Sequence, residues 1–162
     1  MTRHGYSGSQ ILLHWTVAAL ILFNYIYSDG MGEAFDTVVR GEAGEPLELI
    51  PGIHVWVGVA VLVLVVARLI LRHFSGAPEA AGSGTMQLVA TWGHRALYLL
   101  AFLAPLFGAI TWFGGIEGTG EAHEVLANLL MLVAGGHAAV ALWHHFVLGD
   151  GLLLRMFRPR AK

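Results

Sequence analysis

The chain has 162 residues, of which 56% are hydrophobic and 12% are charged, and its formal net charge is −2. It contains no cysteine, which excludes disulfides, iron–sulfur clusters, thiolate zinc sites and covalently attached haem. The apolar residues come in long blocks rather than at the spacing of a soluble amphipathic helix. The composition therefore predicts a single membrane domain over residues 1–162, and nothing in it predicts a nucleic-acid partner.

Four apolar blocks are long enough to cross a bilayer, which takes about 20 helical residues. They predict helices at about 11–28, 52–72, 88–113 and 121–148, each bounded by glycine, proline or Asp-Gly breakers. The first block is not read as a cleaved signal peptide, because it contains His14 and lacks a small-residue cleavage site. Short connections favour an all-α, antiparallel four-helix bundle.

The charged residues divide between the two ends of this predicted bundle. One end takes Arg40 and nine acidic residues, which are Asp29, Glu33, Asp36, Glu42, Glu45, Glu48, Glu117, Glu121 and Glu124. The other end takes eight basic residues, which are Arg3, Arg68, Arg72, Arg95, Arg155, Arg158, Arg160 and Lys162. Because basic residues accumulate on the cytoplasmic side, both termini are predicted to be cytoplasmic and the acidic loop external.

Four histidines form two pairs by their predicted depth. His123 and His137 are fourteen positions apart, which on one helix means ~21 Å along the axis and within roughly 40° of the same face. His54 begins the second helix at the level of His123, and His14 lies at the level of His137. Ionisable groups inside a membrane are costly and tend to be functional. Two haems, each held by two neutral imidazoles on different helices, would account for all four.

Small residues beside these histidines would admit a flat macrocycle. Gly58 follows His54 by one turn, and Gly135 and Gly136 precede His137, although small residues also serve ordinary close helix packing. A single histidine near a helix end is more often an interfacial residue than a ligand, so the prediction depends on the matched depths. Zinc is disfavoured, because two imidazoles per level fall short of its usual three or four protein ligands.

Arg68 repeats the fourteen-residue interval on the second helix, counted from His54, and is predicted near the level of the inner pair. Arginine is suited to bidentate pairing with a haem propionate. The alternative is that Arg68 only extends towards the inner headgroups, which is the role expected of Arg72.

The chain resembles the prokaryotic cytochrome b561 family from about Ser7 to Arg158. The patterns that carry the resemblance are LLHW at 12–15, PGIHVWVG at 51–58, VVARLILR at 65–72, GHRALYLLAFLAPLFG at 93–108 and GGHAAVALWHH at 135–145. The resemblance implies an inner-membrane protein with two non-covalent b-type haems, ligated at His14, His54, His123 and His137, that exchanges electrons with quinone. It also implies an oxidoreductase of the superoxide:quinone type. With both axial positions filled, each iron would be a one-electron relay.

Further titratable side chains near the inner pair could deliver protons to quinone, since imidazole titrates near neutral pH. These candidates are His94, Arg95, His144 and His145. His144 is also an alternative inner ligand, because it follows His137 by seven residues on nearly the same face. Trp92 and Trp143 are read as an interfacial aromatic belt.

The acidic outer loop would repel superoxide and attract a small cationic redox protein, unless it is only a solvated cover. Two other functions stay open. The chain could be the haem b subunit of a larger oxidoreductase with a peripheral redox partner, or a haem-free metal-binding or transport protein of the membrane.

Overall fold

The computed structural model describes residues 5–40, 49–76, 78 and 84–159. Its helices are α1 (Gly8–Ile26), α2 (Met31–Val39), α3 (Leu49–Ser75), α4 (Thr85–Gly114) and α5 (Gly118–Trp143). A π-helical turn over His144–Leu148 continues α5, and a 3-10 turn over Leu153–Met156 follows. All regular structure in the described ranges is helical, and α1, α3, α4 and α5 are long and apolar enough to cross a membrane. The predicted all-α bundle of four spanning helices is confirmed.

The spanning helices extend past the apolar blocks from which they were predicted. α1 begins at Gly8 because Ser7 caps it: the Ser7 hydroxyl accepts the Gln10 N–H, and the Gln10 side chain accepts the Ser7 N–H at 2.9 Å. α3, α4 and α5 each start about three residues before the predicted boundary. Hydropathy detects only the part of a helix that lies in lipid, whereas the hydrogen-bonded helix continues into the polar boundary.

α3 packs against α1 and α4, and α4 packs against α5, while α1 and α5 make only sparse backbone contact within the described ranges. The small core is built from Val17, Val61, Val65, Ala101 and Leu130. Most other apolar side chains point outwards, as do Leu132 and Phe146 at 72% and 76% exposure. Exposed apolar side chains of this kind are expected for helices that are surrounded by lipid.

Hydrogen bonds between elements tie the bundle together at both ends. At the end that carries Arg68 and Arg72, here called the basic end, Gln10 Nε2 donates to the Gly76 carbonyl at 2.7 Å. At the opposite end, called the acidic end, the Tyr25 hydroxyl donates to Asn128 Oδ1 at 2.8 Å. The start of α1 therefore meets the end of α3, as an antiparallel arrangement requires.

The segment after α1 was predicted as a loop, and that prediction is wrong for residues 31–39, which form α2. Phe35 of α2 lies against Trp112 of α4, with ring centroids 6.3 Å apart, and Glu33 and Asp36 are exposed. α2 is therefore amphipathic, with an apolar face on the bundle and an acidic face outwards. Six charged residues used in the charge map lie outside the described residues: Arg3, Glu42, Glu45, Glu48, Arg160 and Lys162.

Candidate haem sites

A cavity of about 630 Å³ opens at the acidic end and is lined by residues of all five helices. His54 of α3 and His123 of α5 lie in its wall, with ring centroids 6.2 Å apart and ring planes nearly perpendicular. Gly58, Gly108 and Gly120 contribute to the lining. A volume in this range is usual for a small-molecule or cofactor site.

Backbone carbonyls orient both imidazoles of this pair. His54 Nδ1 lies 3.2 Å from the Tyr27 carbonyl oxygen, and His123 Nδ1 lies 2.7 Å from the Ala104 carbonyl oxygen. A carbonyl only accepts, so each Nδ1 carries the proton and donates it, which leaves the Nε2 lone pair of a neutral ring available for a metal. Metal-ligating histidines are commonly fixed in this way.

Gly108 makes the His123 geometry possible. A Cβ at position 108 would lie 3.0 Å from His123 Nδ1 and 3.1 Å from its Cε1. The absence of a side chain lets the imidazole lie flat against α4 and reach the carbonyl one turn earlier. Gly93, near the other end of the same helix, has open space in the corresponding direction.

The basic end holds a second group of histidines. His94 of α4 and His137 of α5 have ring centroids 5.1 Å apart, and His94 Nδ1 donates to the Ala90 carbonyl at 2.6 Å. His14 of α1 lies within electrostatic range of both, and also of Arg68. His14 Nδ1 is buried without a hydrogen-bond partner. Buried polar atoms are rarely left without a hydrogen-bond partner, so the His14 side chain differs in this respect from His54 and His123.

The structure places Arg68 beside this histidine group and gives it an aromatic neighbour. Its Cζ lies 5.3 Å from the ring centroid of Tyr98 on α4, and Arg72 Cζ lies 5.6 Å from the same centroid. These distances are within the range of a cation–π contact.

His144 is buried at the end of α5, where the π-helical turn begins. Its Nδ1 donates to Asp150 Oδ2 at 2.5 Å, and the other carboxylate oxygen accepts the Leu152 N–H at 2.9 Å. The hydrogen bond from His144, with that from Leu152, lowers the pKa of the Asp150 carboxyl below its ordinary value. Asp150 therefore stays ionised at neutral pH and fixes the orientation of the imidazole through its Nδ1.

The other predicted proton-handling residues have separate surroundings. Arg95 Cζ stacks 4.8 Å from the ring centre of the exposed Trp92, and His145 lies against Phe146 with centroids 4.7 Å apart. His94 contacts His137 rather than His144 or His145 in the described ring contacts. The structure thus gives each of the four predicted residues a different environment.

The fold and its paired histidines define a multi-pass membrane protein with polar sites between helices. The family model of the prokaryotic cytochrome b561 matches residues 5–159, and the chain belongs to this family of membrane electron-transfer proteins. It is 44% identical to the cytochrome b562 of Cereibacter sphaeroides, with 96% of this chain and 97% of that protein covered. It is 30% identical to the probable superoxide oxidase CybB of Yersinia pestis, over 93% and 94% of the two chains. It is 26% identical to the cytochrome b561 homolog 1 of Escherichia coli, over 97% and 98%.

Membership of a cytochrome b family implies haem b, and the acidic-end residues fit that group. A metal–imidazole bond is about 2 Å long and a ring centre lies about 1 Å beyond its nitrogen, so two axial imidazoles place their ring centres about 6 Å apart. The 6.2 Å between His54 and His123 agrees with this requirement. At the basic end, α1 and α5 make only sparse backbone contact, and Gly135 and Gly136 have open space beside them.

Sequence reasoning missed five participants of these sites. Gly108 was quoted only as part of a family pattern, and Tyr98 and Asp150 were not singled out. The carbonyls of Tyr27 and Ala104 leave no signal in a sequence, since every residue carries one. Asp150 does have a signal: it follows His144 by six residues across the turn at Gly149, which has a φ of +65°.

Proposed function

We propose that this protein carries electrons across the membrane through two haem b groups, one held by His54 and His123 and the other by His14 and His137. The proposal is supported above all by the acidic-end pair, with its 6.2 Å ring separation and two carbonyl-bonded Nδ1 atoms around a cavity. Haem b held at each end by two of these histidines would supply one-electron chemistry.

The protein residues hold and insulate these sites. The Tyr27 and Ala104 carbonyls hold the protons of His54 and His123 on Nδ1, which leaves the Nε2 lone pairs of the neutral rings available to a metal. The apolar surfaces of α1, α3, α4 and α5 exclude water and ions between the two ends. Electrons then cross by way of the two ligand pairs, because the fourteen-residue interval on α5 sets one pair at each end.

The acidic end is proposed to face outwards and the basic end to face the cytoplasm. Among the described residues, Arg68, Arg72, Arg95, Arg155 and Arg158 belong to the basic end and Arg40 to the acidic end, which is the distribution of the positive-inside rule. Asp29, α2 and the connection before α5 would then be exposed to the external medium.

At the basic end the electrons are proposed to reach quinone, with protons passing through His144. Reducing one quinone takes two electrons and two protons, and two superoxide anions would yield two oxygen molecules as they supply the electrons. Asp150 holds His144 Nδ1 as a donor, so Nε2 is the atom that accepts and releases the transferred proton. The lowered pKa of the Asp150 carboxyl keeps it charged, so that it holds the His144 ring in place as a hydrogen-bond acceptor.

The donor at the acidic end is proposed to be superoxide, the substrate named for the Yersinia pestis relative. A small cationic redox protein is the second candidate, and the exposed acidic face of α2 favours it. The two donors respond oppositely to charge, because an acidic surface repels an anion and attracts a cation.

A reduced-minus-oxidised visible spectrum of the purified protein, with haem quantification, tests the cofactor part of the proposal. We expect a low-spin b-type signal and about two haems per chain. A preparation without that signal would support the haem-free alternative and overturn the proposal.

Stopped-flow mixing with superoxide or with a basic c-type cytochrome identifies the donor. With superoxide, added salt and the double change Glu33→Gln with Asp36→Asn should both speed haem reduction, because both weaken the repulsion. With a cationic donor, both should slow it. The matched control is Glu117→Gln with Glu121→Gln, which removes two exposed charges from the start of α5 rather than from α2. Failure of both donors to reduce the haem would overturn this assignment.

A further inference from the structure

Two guanidinium groups converge on one tyrosine ring near the basic end. Arg68 and Arg72 are four residues apart on α3, so both side chains project from one face of that helix. Their Cζ atoms lie 5.3 Å and 5.6 Å from the ring centroid of Tyr98 on α4. All three residues are partly buried inside membrane-spanning helices.

Such an arrangement of cations is unfavourable by itself. Like charges one helical turn apart repel each other, and charge inside a membrane is normally paired. In the described part of the chain, no carboxylate forms an ion pair with Arg68 or Arg72. The Tyr98 ring attracts both cations but carries no charge that would neutralise them. The geometry therefore fits a bound oxyanion.

The position of Arg68 indicates which oxyanion this is. Arg68 lies within electrostatic range of His14 and His137, the proposed axial ligands at the basic end. A haem b held there brings two carboxylates at the edge of its macrocycle, and the planar guanidinium fork matches a carboxylate in two parallel hydrogen bonds.

We propose that Arg68, Arg72 and Tyr98 form a carboxylate clamp for the two propionate groups of the basic-end haem. This inference rests on the proposed function. The two arginines bind the carboxylates, and Tyr98 is a positioning residue whose ring keeps both guanidinium groups turned towards them.

The clamp also gives electron transfer a direction. Reduction adds one negative charge to a haem, so nearby cations raise its reduction potential and nearby acids lower it. The acidic-end cavity has Glu124 in its wall and no lysine or arginine among its described lining residues. The basic-end haem therefore has the higher potential, and electrons run from the acidic end to the basic end.

Potentiometric titration of the full-length protein, purified with both haems, tests the clamp. Arg72→Gln should lower the midpoint potential of one haem and leave the other unchanged, because the propionates lose a compensating charge. Arg72→Lys should retain most of the potential, since it keeps the charge. Tyr98→Phe should match the parent protein, whereas Tyr98→Leu should lower the same potential by less than Arg72→Gln.

Two further variants assign and control the effect. Arg72→Gln combined with His123→Ala leaves only the basic-end haem under the proposed pairing, so the lowered potential should persist there. Arg158→Gln removes an exposed cation from the same end of the chain and should change neither potential. Both arginine variants are made at Arg72, so the test does not depend on whether a protein altered at Arg68 folds.

Several outcomes would overturn the clamp. Unchanged potentials in Arg72→Gln with both haems retained would refute it and leave the proposed function standing, because haem content is measured separately. A wild-type protein without a low-spin b-type signal would instead refute the proposed function. A shift that appears only in vesicles containing phosphatidylglycerol, and not in phosphatidylcholine alone, would mean that the arginines bind a lipid phosphate rather than a propionate.

Discussion

The two ends of this bundle prepare their sites by different means. At the acidic end, backbone carbonyls of neighbouring elements hold His54 and His123, and glycines open the cavity between them. At the basic end, His14 has a ring nitrogen without a partner, and the surroundings are arginines, further histidines and an aromatic ring. Backbone groups are uncharged and fixed in position, whereas guanidinium groups are charged and mobile. Neutral backbone groups therefore position the histidines at the acidic end, whereas charged side chains set the electrostatic environment at the basic end.

The largest expected effect separates the two ends by their ligands. His54→Ala or His123→Ala should reduce the haem content from about two per chain to about one, because an axial imidazole is lost at one end only. His14→Ala or His137→Ala should remove the other haem. Haem quantification together with redox titration distinguishes the two losses by the midpoint potential that disappears.

Two control variants protect this interpretation. His94→Ala and His144→Ala remove neighbouring imidazoles that the proposed pairing does not use, and both should retain two haems. If His144→Ala lost the basic-end haem while His137→Ala kept it, His144 would be the inner ligand and the pairing at that end would be wrong.

A smaller effect probes the geometric character of the acidic end. Gly108→Ala places a Cβ about 3 Å from the His123 ring, which must shift and so strain its hydrogen bond to the Ala104 carbonyl. We expect about 10-fold or greater weakening of haem retention at that end, as for other changes to groups that orient a metal ligand. Haem release to apomyoglobin measures it. Gly93→Ala on the same helix is the matched control, and equal release from both variants would contradict the role of Gly108.

The smallest effect probes charge at the basic end. The Asp150 pKa is lowered in the folded protein by the hydrogen bond from His144, so its contribution to stability is present above the ordinary pKa and is lost as pH falls through the lowered value. Asp150→Asn should therefore lower the Tm slightly at about pH 6, with the difference shrinking below about pH 4. Asp29→Asn, an exposed change at the acidic end, serves as control. A Tm difference that stayed constant down to the lowest pH would argue against this hydrogen bond.

The sequence alone determined the fold class and the four spanning helices, because lipid imposes a length and an apolar composition that are read directly. The interval between His123 and His137 and the placement of the charges were also visible, since helical periodicity converts spacing into depth. α2 was missed because a segment of nine residues is too short and too polar for a hydropathy signal. The contact between Phe35 and Trp112, which packs its apolar face on the bundle, forms only in the folded protein.

Only the tertiary structure decided which groups surround each histidine. The carbonyl of Ala104 reaches His123 because α4 and α5 pack closely at Gly108, and no pattern within either helix encodes that approach. In the same way, Tyr98 meets Arg68 and Arg72 only once α3 lies beside α4. Depth in a membrane is a one-dimensional property that spacing along a helix fixes, whereas the partner of a side chain depends on how two helices are rotated against each other.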